Sequence, residues 1–141
     1  MLTYSEKKFP KKINSLDAIF DFVEDFIADN QHLRMDSNAI NFAVEEIFTN
    51  LVKYNTESKR DILIELEIID SDLVTSLTDF NVSKFDITEV DEVDTTLGVE
   101  ERKVGGLGLH LVNKFVDKLE YEYKNSNSKI TLLKHLEKAN V

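Results

Sequence analysis

Three short stretches of this chain hold residues whose types and spacing can do chemistry. The first is VGGLGLHLVNKFVD, residues 104–117, where three of the chain's four glycines, Gly105, Gly106 and Gly108, open a helical pattern. A helix N-terminus carries unpaired N–H groups and a partial positive charge, and it binds anions where the backbone can come close. Glycine removes the Cβ that would block that approach. The run reads as a phosphate cradle or, more plainly, as a tight loop-to-helix turn. The second stretch is EEIFTNLVKYN, residues 45–55. Glu46 and Asn50 are four apart and so share one side of a helix. An amide oxygen such as that of Asn50 is a hard ligand suited to Mg²⁺, and a carboxylate one turn earlier can accept a proton or orient a water. The plain alternative is the solvated flank of an amphipathic helix. The third is SLTDFN, residues 76–81. An ionised carboxylate only accepts hydrogen bonds, so Asp79 in a pocket can accept one from an exocyclic amine such as that of adenine. Its alternative role is a turn former at a strand end.

The elements that must position these residues follow from hydrophobic period. Residues 2–9 predict a short edge strand, ended by Pro10. Asn14 or Ser15 can cap a helix whose apolar stripe is Leu16, Ile19, Phe22, Val23, Phe26 and Ile27. Asp36 or Ser37 can cap a second, with Ile40, Val44, Ile47, Phe48 and Leu51 as its stripe. The period then drops to two. Ile62, Ile64, Leu66 and Ile68 alternate with Glu65 and Glu67, which predicts a strand with one wet face. A turn at Asp70-Ser71-Asp72 leads into LVTSLTDF, the second strand of a hairpin. Residues 86–104 hold Asp86, Glu89, Asp91, Glu92, Asp94, Glu100 and Glu101 without periodicity and read as a mobile acidic loop. A helix is expected from about Gly108 to Asp117. LEYEYK, a turn at Asn125-Ser126-Asn127, and KITLLKHL close the chain as two strands. The order β-α-α-β-β-loop-α-β-β predicts an α/β (α+β) two-layer sandwich, with a mixed, mostly antiparallel sheet and the helices on one face.

Composition narrows the function classes. A length of 141 residues suits one domain, and 42% hydrophobic residues can bury a core without staples. The formal charge of -10 argues against nucleic acid as a partner, because phosphate contacts need clustered Lys and Arg. The one basic group, Lys7, Lys8, Lys11 and Lys12, reads as a solvated patch. The absence of cysteine excludes disulfides and thiolate metal sites. MLTYSEKKFPKKI has no apolar core of a signal sequence, and no apolar run reaches spanning length, so the expectation is a soluble cytoplasmic protein away from membranes.

The order E-x-x-x-N on a helix, Asp at a strand end, and a long loop closed by G-G-L-G-L resembles the GHKL ATPase superfamily. Within it, AVEEIFTNLVKY and GGLGLHLVNKFVDKLEY are most similar to the anti-sigma-factor serine/threonine kinases. The resemblance runs in order over nearly the whole chain and implies one ATPase domain, 1–141, with ATP and Mg²⁺ as cofactors. It implies that Asn50 holds Mg²⁺ on the ATP phosphates, that Glu46 is the catalytic base, and that Asp79 recognises the adenine amine. Residues 86–104 would be the ATP lid. Gly105, Gly106, Gly108 and Leu109 would form the second glycine box, with His110 at a common family position. Lys53, one turn past Asn50, and Arg102 and Lys103, in the lid, would balance phosphate charge. One departure stands out: Asn81 occupies the place of a glycine in the first box, D-x-G, and asparagine tolerates the left-handed conformation better than most residues. The implied activity is phosphoryl transfer from ATP to an anti-anti-sigma protein, combined with sequestration of a sigma factor. The alternatives are a partner-switch binding module without phosphotransfer, and a kinase of the same family acting on an unrelated regulator. The family's tendency to dimerise makes a homodimer a further expectation, with the first helix or the edge strand as contact elements.

Overall fold

The computed structural model describes residues 3–84 and 106–139, with the backbone alone for 106–110. Its elements, in chain order, are β1 (Tyr4–Phe9), α1 (Leu16–Ala28), β2 (Leu33–Arg34), α2 (Ser37–Tyr54), β3 (Ile62–Ile69), β4 (Asp72–Asp79), α3 (Gly106–Phe115), β5 (Lys118–Lys124), β6 (Asn127–His135) and β7 (Glu137–Lys138). Among the described residues five strands form one sheet, ordered β1-β3-β4-β6-β5, and β2 pairs with β7 in a small second one. Helices and large sheet make the two layers expected from the sequence. The sheet is antiparallel throughout the described strands rather than mixed, because each neighbouring pair runs in opposite directions.

The core lies between the layers because the alternation in β3 and β4 puts one apolar face toward the helices. Ile62, Ile64, Leu77 and Ile130 on the strands meet Val44, Ile47, Phe48 and Leu51 of α2, and all are buried. Fully burying an aliphatic or aromatic side chain contributes about 1.5–3 kcal/mol. The stripe of α2 therefore fixes that helix on the sheet, and with it the rotation of Glu46 and Asn50. At its start, the Asp36 carboxylate accepts hydrogen bonds from the Asn38 and Ala39 N–H groups at 3.0 and 3.2 Å. Among the described residues no helix is long and apolar enough to cross a membrane.

Several local expectations are corrected. Ser15 precedes α1, but its hydroxyl donates to the Pro10 carbonyl at 2.7 Å and does not cap the helix. A 3₁₀ turn at Ile13–Ser15 delivers the chain into α1 instead. The third helix spans Gly106–Phe115, two residues earlier at each end than expected. Both hairpin turns contain two residues. Asp70 has φ 57°, while Asn125 and Ser126 have φ 54° and 64°, so Asn127 already belongs to β6. The β2–β7 pair is too short to leave a period-two pattern.

Candidate functional site

The fold brings the end of β4 and the C-terminal half of α2 to one end of the molecule. In α2 the i,i+4 spacing puts Glu46 and Asn50 on one side. Asn50 is buried, and its Nδ2 donates to the Glu46 carbonyl at 2.6 Å. That bond uses the amide N–H, so Oδ1, the atom a hard cation would take, is not committed to it. Glu46 is half-buried, and burial pushes its carboxyl above the ordinary range. The neighbouring Glu45 charge adds to the rise and Lys53 opposes it. Lys53 itself is exposed, one turn beyond Asn50.

Helix α3 packs on α2. Phe115, at its C-terminal end, meets the Phe42 ring edge-on, with centroids 5.9 Å apart. Ten residues of helix span about 15 Å, so the N-terminus of α3 lies roughly that far along the helix axis from this contact. Gly106, Gly108, Leu109 and His110 lie in the first turns of α3. Gly105, Arg102 and the acidic segment 86–104 lie outside the described residues.

Asp79 ends β4 and is fully buried. The structure adds a partner that the sequence reading assigned to a solvated patch. Lys11 Nζ donates to Asp79 Oδ2 at 2.8 Å and Oδ1 at 3.1 Å, and also to the Asn55 carbonyl. The Lys11 and Asp79 side chains are 5% and 0% exposed. Burial raises the Asp79 carboxyl above its ordinary range, and the Lys11 hydrogen bond and charge pull it back. Ser128 stands directly across the ladder from Asp79 and shares its face. Ser128 Oγ and Asn55 Nδ2 are buried without a hydrogen bond of regular geometry among the described residues, although Asn55 lies near enough to help lower the Asp79 pKa. Lys11, Asn55 and Ser128 were all missed from sequence. Pro10 ahead of Lys11 was the only hint that the chain turns inward there.

Asn81, two residues past Asp79, has φ 58°, in the region that glycine would occupy freely. Its N–H donates to Asn127 Oδ1 at 3.1 Å. The Val82 N–H donates to the Ser126 carbonyl at 2.9 Å, and Val82 O accepts from the Tyr123 hydroxyl at 2.8 Å. The β5–β6 hairpin thus holds the strand exit that carries Asp79.

The family described as histidine kinase-like ATPase domain matches residues 9–134. The chain belongs to this family. That span takes in every element of the histidine kinase-like ATPase domain described above except most of β1 and the last strand, β7. A solved structure, the crystal structure of the RsbU and RsbW domains of Rv1364c from Mycobacterium tuberculosis, is similar with a TM-score of 0.68 and 14% identity. The likeness covers 96% of this chain and 33% of that one, so the chain spans about a third of its length. At that identity the agreement is one of fold. No curated protein matches the chain by sequence.

The residues present suit a purine nucleotide with Mg²⁺. The unpaired Ser128 Oγ stands beside the buried Asp79 carboxylate, with the Asn55 side chain close to it, a polar set of the kind that the edge of a base requires. Among the described residues no three His, Cys, Asp or Glu side chains cluster as a protein cage for a metal would. A cation here would be held by Asn50 together with phosphate oxygens and waters, the usual habit of Mg²⁺.

Proposed function

We propose that residues 1–141 form one ATP-binding protein-serine/threonine kinase domain of the anti-sigma type, with 86–104 as its lid. The observation that carries this reading is the buried Asp79 joined through Lys11 to Asn55, the C-cap of the helix that carries Glu46 and Asn50, within a chain that matches the family over 9–134. Asn50 would bind Mg²⁺ on the phosphates, and Glu46 would take the proton of the attacking hydroxyl, a role worth on the order of 10²–10⁴-fold. Gly105, Gly106, Gly108 and the α3 N-terminus would cradle phosphate, aided by Lys53 and Arg102, with Leu109 and His110 behind them. Asp79 would read the adenine amine, with Asn81 shaping the turn beside it. The substrate would be an anti-anti-sigma protein and the sequestered partner a sigma factor, by analogy with the RsbW domain named in the similar structure. The reaction would be positioning and charge neutralisation more than covalent chemistry.

A second reading, a partner-switch module without phosphotransfer, is favoured by Lys11 on Asp79 and by Asn81 in place of glycine. One experiment separates the two. The chain is titrated with Mg²⁺–ATP in a calorimeter and then incubated with γ-labelled ATP and protein captured from its native cell. Labelled partner from the wild-type chain, and none from Glu46→Gln with ATP binding intact, supports the kinase. Binding without label supports a nucleotide-dependent switch, and no heat of binding rejects the kinase and leaves only a nucleotide-independent switch.

A further inference from the structure

The Lys11–Asp79 pair stands where the proposed function puts the nucleobase, and it is already complete. An ammonium has three N–H donors. Those of Lys11 are spent on Asp79 Oδ1, Asp79 Oδ2 and the Asn55 carbonyl. The Asp79 carboxylate is 0% exposed, so an incoming amine has no open approach to either oxygen. A hydrogen bond would need a donor nitrogen about 2.9 Å from one of them, and Nζ fills that position at 2.8 and 3.1 Å.

The geometry points to Lys11 as an internal occupant of the base site, one that must withdraw before Asp79 can accept a hydrogen bond from an adenine amine. This inference rests on the reading of Asp79 as the base-recognising residue and makes Lys11 the residue that sets adenine-nucleotide affinity. The means of withdrawal are present. The backbone beside Lys11 is anchored, because the Pro10 carbonyl accepts from both the Ser15 hydroxyl and the Lys12 N–H at 2.7 Å. Movement therefore falls to the four-carbon stem of the lysine, which is flexible. A cavity of about 510 Å³ adjoins it, lined among others by Lys11, Asn55, Thr56 and Asp61. Asp61 offers a carboxylate to an ammonium that swings into that cavity, and water there would solvate it. Once Lys11 leaves, an adenine amine satisfies Asp79, and the unpaired Ser128 Oγ beside it remains available to the rest of the base edge.

The test uses the full chain with Mg²⁺–ATP and, as a probe without a base, Mg²⁺–triphosphate. Lys11→Met keeps the apolar stem and removes the ammonium. The expected result is tighter ATP binding by tenfold or more, with triphosphate affinity unchanged or slightly weaker. Weaker ATP binding by Lys11→Met would make Lys11 a direct ligand and overturn the inference. Equal ATP affinity in the two proteins overturns it as well, while leaving the nucleotide site standing. If neither protein binds ATP, the nucleotide reading itself fails and the inference falls with it. Because Lys11→Met leaves a buried carboxylate unpaired and can fail to fold, a second measurement uses the wild-type chain. Reductive methylation of Lys11, followed by mass spectrometry, should speed up several-fold when Mg²⁺–ATP is added, since the ammonium leaves its burial. Slower or unchanged labelling under conditions where ATP binds would overturn the inference without any variant.

Discussion

Glu46 carries the sharpest consequence at the scale of single residues. Its carboxyl is raised above the ordinary range by burial first and by the Glu45 charge second, while Lys53 lowers it. In its proposed role as general base Glu46 works ionised, so on that reading phosphotransfer should rise with pH through its elevated pKa. Removing the negative neighbour with Glu45→Gln should move that acidic limb to lower pH. Removing the positive one with Lys53→Met should move it to higher pH. Profiles of kcat/KM against pH for the three proteins check both signs, and limbs that do not separate would place the titrating group elsewhere. Lys11 makes the complementary point about stability. Taking away one partner of a buried ion pair typically costs about 3–5 kcal/mol, because the other charge stays uncompensated. Glu46, Asn50 and Asp79 were legible as candidates because spacing alone puts polar residues on a helix flank and at a strand end. Lys11 was not, because four lysines in one short segment look alike until the turn at Pro10 decides which one faces inward.

Helices and turns set the geometry in which those residues act. The start of α2 depends on the Asp36 carboxylate, which accepts from two N–H groups that would otherwise be orphaned. Asp36→Ala should destabilise the fold by about 1 kcal/mol in urea denaturation. The β5–β6 turn holds Ser126 at φ 64°, a conformation that costs a residue with a Cβ roughly 1–2 kcal/mol. Ser126→Gly should therefore raise stability by about 1 kcal/mol, and the two backbone contacts from Asn81 and Val82 to this hairpin should survive the change. A stability loss would show that the hydroxyl, not the backbone, was the constraint. Element existence and type were readable from period and capping residues. Ends were less so. Gly106 begins α3 because a residue without Cβ still takes helical φ and ψ, whereas the breaker sense of glycine points to a later start.

The whole molecule links site and stability through one core. Phe48 is fully buried within the core cluster that helices and strands share. Phe48→Ala should cost about 3–5 kcal/mol from lost burial and the cavity left behind. A ligand that binds only the folded chain adds stability by mass action, about 2.7 kcal/mol when its concentration is a hundredfold above Kd. Saturating Mg²⁺–ATP should thus raise the unfolding midpoint of the wild-type chain. Asn50→Ala should lose the part of this shift that depends on Mg²⁺, as read by scanning calorimetry with and without the metal.

The amino-acid order alone determined the two-layer class, the antiparallel hairpins and the polar positions flanking the core stripe. These follow from periods of two and 3.6 and from local turn chemistry, which act over a few residues. The tertiary structure decided that the sheet has no parallel pair among its described strands, that β2 and β7 meet, and that Lys11 lies on Asp79. Each of those joins residues far apart in the chain, and Lys11 and Asp79 are separated by 68 positions. No local pattern encodes such a meeting, because burial at a distant contact is settled only when the layers close.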